Sequence, residues 1–388
     1  MVTKEFIGHR TDLKRVRAVP HDVKLVLAVG AGGFCEFPRC GRFVFRHHVT
    51  GTRGNFAEMA HIVAFSPGGP RGRAAHRPID INGAANLMLL CPACHKLIDD
   101  EEESYPIREL REYKRLHEQR IKVSTSSSGT NETRVIKVVS WVRGQDVEIL
   151  DSDVDSAIFP RFSEKGKDCV IDLRTHGDLT PRKMALAAST ITERFGDLYS
   201  AGKSGVQLEH VSVFALAPIP VLVHLGSQLS TKVKTDIFQR HRETDAWDWK
   251  KGDGRLSFST ALRKRGSTVG KAALIVSVSG KIHPSELPPE IRRGHWIYEI
   301  EADVKTMRTD LLETRGDLGR FRRAYEEIQG RLTSDHGRRL RKMDVFAAVP
   351  APIAVTMGFA RLPQIAPALR VYQNEPLNGG FKHVMEVA

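Results

Sequence analysis

Short β-branched runs alternate with longer amphipathic stretches along the last two thirds of the chain. Such runs are typical of buried strands, and apolar positions at helical spacing are typical of amphipathic helices. Helices are predicted at Arg182–Phe195, Ile219–Leu229 and Val304–Gln329. Strands are predicted at Val135–Val142, Val170–Leu173, Val211–Leu216, Ile237–Gln239, Ala273–Val278, Trp296–Ile300, Val345–Val349 and Arg370–Tyr372. The alternation favours an α/β fold with parallel sheets and crossover helices.

A sequence repeat lies within this region. Residues 213–226 and 345–358 share Val, Phe, Ala, two Pro, Val and Gly, and both predict a strand, a Pro-x-Pro turn and a helix. Proline suits a first helical turn because its missing N–H would be unpaired there. The repeat predicts a pseudo-twofold body with a cleft between halves at about 135–255 and 271–388. A duplicated scaffold that binds no ligand is the alternative.

A polar, serine-rich stretch precedes this body at residues 124–134. It has little apolar surface to bury, so we predict a linker. Before the linker, apolar residues at helical spacing predict a helix from about Ile107 to Val123. The predicted domains are therefore residues 1–123 and 135–388.

The composition is that of a soluble globular chain, with 41% hydrophobic and 27% charged residues. No stretch approaches the ~18 apolar residues of a membrane helix, and the first residues lack the apolar run of a secretory signal. We therefore expect a cytoplasmic protein. The net charge is +13, and residues 1–98 hold 14 Lys/Arg against 6 Asp/Glu. The first domain is predicted to contact a polyanion, a solvated basic surface being the alternative.

Four of the five cysteines form two close pairs, Cys35 with Cys40 and Cys91 with Cys94. Each short gap lets one turn direct two thiolates at one ion, and two such turns complete a tetrahedral zinc site. Disulfides are the alternative, which a reducing cytoplasm disfavours. We predict one structural Zn²⁺, which takes no part in catalysis because four thiolates leave it no open position.

The polar residues around the second cysteine pair resemble the motif of His–Asn–His (HNH) nucleases, whose active site is a ββα-metal finger. His61, Asn86 and His95 fill the three motif positions in order, and Asp99 follows one helical turn later. The resemblance implies an α+β, zinc-containing nuclease domain. Within it, His61 would be the general base and Asn86 would brace that histidine or its loop. Ordinary histidines beside a zinc ribbon are the alternative.

A catalytic metal site is predicted at His95 and Asp99. The two residues are four apart, so one helical face presents both to a divalent ion. A nitrogen and a carboxylate oxygen suit Mg²⁺ or a similar ion, which would neutralise charge developing on the phosphate. HNH enzymes commonly carry a metal-binding residue directly before the base, where this chain has Ala60. Glu58 or water is expected to replace it, weak metal binding being the alternative.

A segment rich in glycine, proline and arginine lies between His61 and Asn86. Guanidinium groups in such a segment suit contacts with the DNA backbone. The predicted DNA contacts are Arg71, Arg73 and Arg77.

The second domain resembles SAVED domains, which fuse two CARF-like (Rossmann-like) halves and sense cyclic oligonucleotides. The likeness rests on the repeat and on the run from Ile237 to Lys250, IFQRHRETDAWDWK. HNH followed by SAVED is the arrangement of effector nucleases in bacterial cyclic-oligonucleotide antiphage signalling (CBASS). The resemblance implies an endonuclease that degrades double-stranded DNA when a cyclic di- or trinucleotide binds. We also expect a homo-oligomer, a dimer at rest that becomes larger on activation, with no membrane partner.

The nucleotide pocket is predicted where loops leave the strands, because doubly wound sheets bind ligands beyond the carboxyl ends of their strands. The loop after Ile237–Gln239 offers cations for phosphates and indoles for stacking on bases. In the second half the equivalent loop runs from Gln373 to Gly380. The predicted ligand-binding residues are Gln239, Arg240, Arg242, Trp247, Trp249, Lys250 and Asn374. Tryptophans buried in the core or an interface are the alternative.

Two other functions stay open at this point. One is a modification-dependent HNH restriction endonuclease whose second domain recognises modified DNA. The other is a non-catalytic DNA-binding adaptor that has lost its catalytic metal, as Ala60 suggests.

Overall fold

The computed structural model describes residues 18–73, 77–126, 131–141, 148–163, 166–177, 179–201, 208–361, 365–375 and 380–388. The chain divides into two compact units, Met1–Ser128 and Gly129–Ala388. The division falls within the predicted linker 124–134, of which residues 127–130 lie outside the described residues. None of the described helices is long and apolar enough to cross a membrane.

The first unit is a small α+β fold. Its elements are α1 (His21–Gly30), β1 (Glu58–His61), β2 (Leu87–Leu90), α2 (Pro92–Asp100) and α3 (Ile107–Ser126). The strands pair antiparallel with His61 opposite Leu87, and α2 starts directly after Cys91, so the order is ββα. All four side chains of β2 are buried, because the helices pack around this strand in a single core.

The first half of the second unit contains a four-stranded parallel sheet in the order β4-β3-β5-β6. Helix α4 lies on one face of this sheet, and α5 and α6 lie on the other. The elements are β3 (Arg134–Val139), α4 (Asp151–Ile158), β4 (Cys169–Asp172), α5 (Pro181–Ala201), β5 (His210–Leu216), α6 (Ile219–Gln228) and β6 (Lys234–Ile237).

The second half contains a six-stranded sheet in the order β12-β11-β10-β8-β9-β7. Its four inner strands are parallel, and the two edge strands are antiparallel to their neighbours. The elements are β7 (Phe258–Lys264), β8 (Ala272–Ser277), α7 (Pro289–Gly294), β9 (Trp296–Ala302), α8 (Arg315–His336), β10 (Lys342–Ala348), α9 (Ala351–Phe359), β11 (Ala368–Glu375) and β12 (Gly380–Val387).

Helices α6 and α9 join the two halves through close backbone contact. A Cβ on Gly226 would lie 1.9 Å from Val355 O, and a Cβ on Gly358 would lie 1.9 Å from Val223 O. The two glycines hold equivalent positions of the sequence repeat, as do the two valines. The contact is therefore reciprocal, as a pseudo-twofold axis between the helices requires, and only glycine permits it. One continuous core covers the inner faces of both sheets.

The predicted α/β fold class is confirmed, and each of the eight predicted strands overlaps an observed one. Val142, the last residue of the first predicted strand, lies outside the described residues. Strands β7 and β12 and helices α1, α4 and α7 were not predicted. The helix predicted from Val304 begins at Arg315, because Thr314 and Asp317 form a capping box at that point. The predicted strand Ile237–Gln239 shares only Ile237 with β6, and Phe238 and Gln239 lie in the loop that follows.

Candidate functional site

His61 is the last residue of β1, and its ring is oriented by Asn82. Asn82 Oδ1 lies 2.9 Å from His61 Nε2, and the amide nitrogen of Asn82 donates to Ala18 O at 3.4 Å. Because the amide oxygen of Asn82 is an acceptor, Nε2 of a neutral His61 carries the proton and donates it to that oxygen. Nδ1 is then left with the lone pair that a general base requires.

Within the described residues, no hydrogen bond joins the side chains of Asn86 and His61. Its buried side chain accepts from Val63 N–H at 3.0 Å and donates to Val63 O at 3.0 Å and Ile81 O at 2.9 Å. The amide thus links the residues that follow β1 to those that precede β2 through hydrogen bonds. Of the two roles expected for Asn86, these contacts correspond to bracing the loop. Asn82 was not among the predicted site residues; its signal in the sequence is an Asn-Gly turn just before the motif asparagine.

The helix α2 presents His95 and Asp99 on one face. His95 Nε2 lies 3.3 Å from Asp99 Oδ2, and His95 Nδ1 lies 3.8 Å from Glu58 Oε2 on β1. The hydrogen bond with Asp99 raises the pKa of His95, against the effect of burial. Burial acts to raise the pKa of Asp99, but the bonds from His95 and Arg71 outweigh it and lower that pKa. Asp99 is therefore held as a carboxylate, the form that binds a cation.

The donor atoms fit a divalent ion. Neighbouring ligands at ~2.1 Å from an octahedral Mg²⁺ are roughly 3 Å apart, close to the 3.3 Å between His95 Nε2 and Asp99 Oδ2. Glu58 faces the other ring nitrogen, as carboxylates that orient metal-binding histidines do. Ala60 is buried and offers no ligand. Glu58 therefore stands beside His95 rather than in the place of Ala60.

Cys35, Cys40, Cys91 and Cys94 come together, with all four Sγ atoms within 4.8 Å of one another. Sulfurs bound at ~2.3 Å to a tetrahedral zinc are roughly 3.8 Å apart, and the Sγ atoms of Cys40 and Cys91 are 3.9 Å apart. All four are free thiols. Burial raises the pKa of Cys35 to about 12, so a metal is needed to hold it as a thiolate. The cluster is therefore suited to a metal ion.

Two of the three arginines expected to contact DNA, Arg71 and Arg77, instead form hydrogen bonds within the first unit. Arg71 is 6% exposed, and its guanidinium donates to Ile62 O at 2.8 Å, Ile98 O at 2.6 Å and Asp99 Oδ1 at 2.8 Å. A guanidinium with these partners stabilises the loop and Asp99, and has no surface left for phosphate. Arg77 is half-buried and donates to Phe65 O at 2.9 Å and to nearby carbonyls. Arg73 is exposed.

Trp247 of the second unit lies in the core and not in an open pocket. It is 1% exposed and packs edge-on against Phe214, with ring centroids 5.3 Å apart. A buried indole has no free face on which a base could stack, so the core alternative is the one observed. Trp249 is half-buried and packs both against this cluster and against the main core of the unit.

The loop after β6 holds two unpaired polar atoms. Gln239 Oε1 and His241 Nε2 are buried without a hydrogen-bond partner in the described part of the chain. Buried polar groups are nearly always paired, so such atoms indicate a missing water or ligand. Of the cations in this loop, Arg240 pairs with Asp245 at 2.8 Å and Lys250 with Glu313 at 2.7 Å. Arg242 is exposed.

Asn374 lies in a strand and not in an irregular loop. It is exposed in β11 and is paired with Phe381 of β12. Residues 376–379 of the predicted loop lie outside the described residues. Within the described residues, no hydrogen bond joins Asn374 to the loop after β6.

Family models match both units. The SAVED model, described as the SMODS-associated and fused to various effectors sensor domain, matches residues 194–387. The HNH_2 model, described as HNH endonuclease, matches residues 40–102. No curated protein matches the chain.

Two solved structures of Cap4 SAVED/CARF-domain containing receptors are similar to the chain. The one from Acinetobacter baumannii, with the cyclic trinucleotide 2'3'3'-cAAA, is 14% identical, with 76% of this chain and 61% of that chain covered and a TM-score of 0.44. The one from Moraxella osloensis is 13% identical, with coverages of 76% and 60% and a TM-score of 0.41. The chain thus spans about three fifths of their length. Because the SAVED model covers half of the residues and the HNH model precedes it, the chain belongs to the SAVED sensor-domain family and carries an HNH endonuclease domain before its sensor.

Proposed function

We propose that the protein is an antiphage effector that cuts double-stranded DNA when its SAVED unit binds a cyclic oligonucleotide. The observation that carries the proposal is an HNH site with a base oriented by Asn82, joined in one chain to a sensor of the SAVED family. The Acinetobacter baumannii relative is named for its complex with a cyclic trinucleotide, which supports the ligand class. In CBASS, effector nucleases are activated by ligands of this class.

In the proposed hydrolysis, a water oxygen attacks the phosphorus, and His61 Nδ1 accepts the proton of that water while Asn82 holds the ring through Nε2. The P–O bond to the leaving sugar oxygen breaks, and that oxygen takes a proton from solvent. Asn86 keeps the loop behind His61 in place. His95 and Asp99 would hold a divalent ion, which supplies stabilisation of negative charge on the phosphate when bound. The four cysteines would hold a structural Zn²⁺. Arg73 remains as an exposed phosphate contact.

The ligand pocket is proposed at the loop after β6. Its support is the pair of unpaired buried atoms, Gln239 Oε1 and His241 Nε2, and the exposed Arg242 beside them. The loop leaves the carboxyl end of a parallel strand, where doubly wound folds bind ligands. Trp249 has a partly exposed ring for a base, and Arg240 and Lys250 are reachable once their exposed ion pairs exchange partners.

Activation is proposed to proceed through assembly. One HNH site cuts one strand, so a double-strand break requires two sites on neighbouring chains. A ligand that binds an oligomer-competent state more tightly shifts the population towards it by its differential affinity. We propose a dimer at rest that becomes a larger homo-oligomer with ligand.

One experiment tests these proposals together. Purified protein is mixed with plasmid and Mg²⁺, with and without a panel of cyclic di- and trinucleotides, and its size is followed by light scattering. We expect linear, then degraded, plasmid only with the active ligand, together with growth of the particle. His61→Ala should lower cleavage by about 100-fold or more, because general-base catalysis contributes roughly that factor. His48→Ala, an exposed histidine of the same unit, should cleave normally.

The other outcomes separate the alternatives. Cleavage of methylated plasmid alone, without any nucleotide, would support a modification-dependent nuclease. Binding of plasmid without cleavage under all conditions would support the adaptor. Full cleavage by a correctly metallated His61→Ala protein would contradict the assignment of the base, and cleavage without growth of the particle would contradict the assembly mechanism.

A further inference from the structure

We propose that the SAVED unit carries a surface for the DNA backbone at the amino ends of its six-stranded sheet. We call this surface the amino-edge patch, and it comprises residues 264–271, 292–295 and 335–342. The partner is duplex DNA, the substrate proposed for the HNH unit, so the identity of the partner rests on that proposed function.

The sheet topology brings the three segments together. Strands β8, β9 and β10 are adjacent and parallel, with Ala272 paired to Trp296 and to Met343. The residues that precede each strand must therefore meet at one edge of the sheet. Direct contacts agree: Trp296 N–H donates to Lys271 O at 2.9 Å, Lys264 donates to Arg292 O, and a Cβ on Gly270 would lie 2.8 Å from Arg339 O.

The patch accounts for the positive charge of its unit. Its three segments carry nine Lys/Arg and one Asp, a net of +8 with histidine neutral. Residues 129–388 as a whole carry 39 Lys/Arg and 32 Asp/Glu, a net of +7. Outside the patch, the unit is therefore close to neutral at −1. The excess positive charge is thus concentrated in three segments that meet at one edge of the sheet, and a concentrated basic surface is the electrostatic signature of a polyanion site.

The cations of the patch are available to an external partner. Among the described residues, Lys342 has an ion pair, with Glu386 at 2.8 Å, and the other eight have none. The single acid, Asp335, accepts a hydrogen bond from Tyr298 at 2.7 Å. Arg265 lies over the Trp296 ring at 5.5 Å, which fixes its position and leaves its N–H groups free. All nine are exposed: Lys264, Arg265, Lys271, Arg292, Arg293, Arg338, Arg339, Arg341 and Lys342.

The dimensions of the patch suit a duplex. Four neighbouring strands, in the order β10-β8-β9-β7, reach this edge, and a spacing of about 4.8 Å between strands gives a width of roughly 15 Å. That length of B-DNA holds about four phosphates on each strand. Six of the nine cations are arginines, which bind phosphate through two N–H groups at once. Apart from Val269, the described patch exposes no large apolar side chain for insertion into a bilayer, so DNA is favoured over an anionic membrane.

The test compares two full-length variants of equal charge. The patch variant is Arg338→Gln, Arg339→Gln and Arg341→Gln, and the matched control is Arg182→Gln, Lys183→Gln and Lys232→Gln, three exposed cations elsewhere in the unit. Both also carry His61→Ala, so that DNA is bound without being cut. Binding of a fluorescent duplex is measured by anisotropy over a series of NaCl concentrations. Each phosphate contact contributes about 0.9 to the slope of log affinity against log salt.

We expect the magnitude of this slope to fall by about 2 to 3 in the patch variant, and its DNA affinity to fall by about tenfold or more. The control variant should keep the slope and the affinity of the parent protein. In a second patch variant, Arg292→Gln with Arg293→Gln, the magnitude of the slope should fall by about 2. This variant keeps the proposal testable if the first one does not fold. Equal slopes for patch and control variants would overturn the proposal. Binding to vesicles of equal parts phosphatidylcholine and phosphatidylglycerol is measured in parallel. A patch variant that binds these vesicles less well but binds the duplex normally would also overturn the proposal.

Failure of the patch and failure of the proposed nuclease are distinguishable. A chain that cuts plasmid on activation but shows equal slopes in the two variants is a nuclease without this DNA surface. A chain that cuts nothing, yet loses salt-dependent DNA binding only when the patch is neutralised, has the surface and a different function.

Discussion

The first unit assembles its largest core cluster from 13 buried residues, two of them cysteines, whereas the second unit assembles one of 47 among the described residues. A core that small supplies few kcal/mol against the conformational entropy of its chain. Cys35 and Cys91 belong to this core and Cys40 and Cys94 pack against it, so a metal ion bound by the four adds folding free energy directly. The second unit is stabilised by continuous packing across two sheets instead. The two units are thus expected to unfold for different reasons, the first on loss of its metal ion and the second on disruption of its core packing.

The largest effect is expected from Cys91→Ser. Loss of one ligand should release the metal and unfold the first unit, since zinc binding contributes on the order of 10 kcal/mol to such folds. The second unit should keep its own unfolding transition. Elemental analysis and calorimetry together provide the measurement. Cys169→Ser, outside the cluster in β4, is the control and should retain one zinc per chain; zinc absent from the unmodified protein, prepared without chelator, would contradict the site.

A change of intermediate size is expected from Gly358→Ala. The new methyl would lie 1.9 Å from Val223 O, so α6 and α9 must separate, at a cost of about 3 kcal/mol in the unfolding free energy of the second unit. Gly330→Ala in α8, where the Cβ would meet nothing within 4 Å, should stabilise the unit by about 0.5–1 kcal/mol. Denaturant unfolding measures both. Similar effects of the two substitutions would mean that the helix crossing is looser than described.

The smallest effect concerns pH and should appear in the second unit. Burial lowers the pKa of His224, His241, His336 and His383. These residues bind protons more readily in the unfolded chain, so stability is complete above pH ~6.5 and is lost as the pH falls towards their folded pKa values. The second transition should move to lower temperature between pH 7 and 5.5, by less than the Gly358→Ala effect. His224→Gln should flatten this dependence, whereas the exposed His283→Gln should leave it unchanged; an identical slope in both would argue against buried histidines as its cause.

Residue spacing located the chemical groups more reliably than it assigned their roles. Arg71 and Trp247 both had the right chemistry for a ligand, but the structure buries them against Asp99 and Phe214. A guanidinium and an indole serve equally well inside a fold or on its surface, and no local pattern separates the two. Asn82 shows the reverse case, because an asparagine before glycine predicts a turn, and only tertiary contact made it the partner of His61.

The amino-acid sequence was enough to predict the strand–helix alternation, the repeat, the cysteine pairs and the order of His61, Asn86, His95 and Asp99. These features depend on local periodicity and spacing, which a chain carries whatever its final packing. Tertiary packing was needed to bring Gly226 and Gly358 into a reciprocal helix crossing, and to bring three basic segments to one edge of a sheet. Both depend on which strands become neighbours. That choice is made by the burial of whole sheet faces, and residues far apart in the chain meet only once it is made.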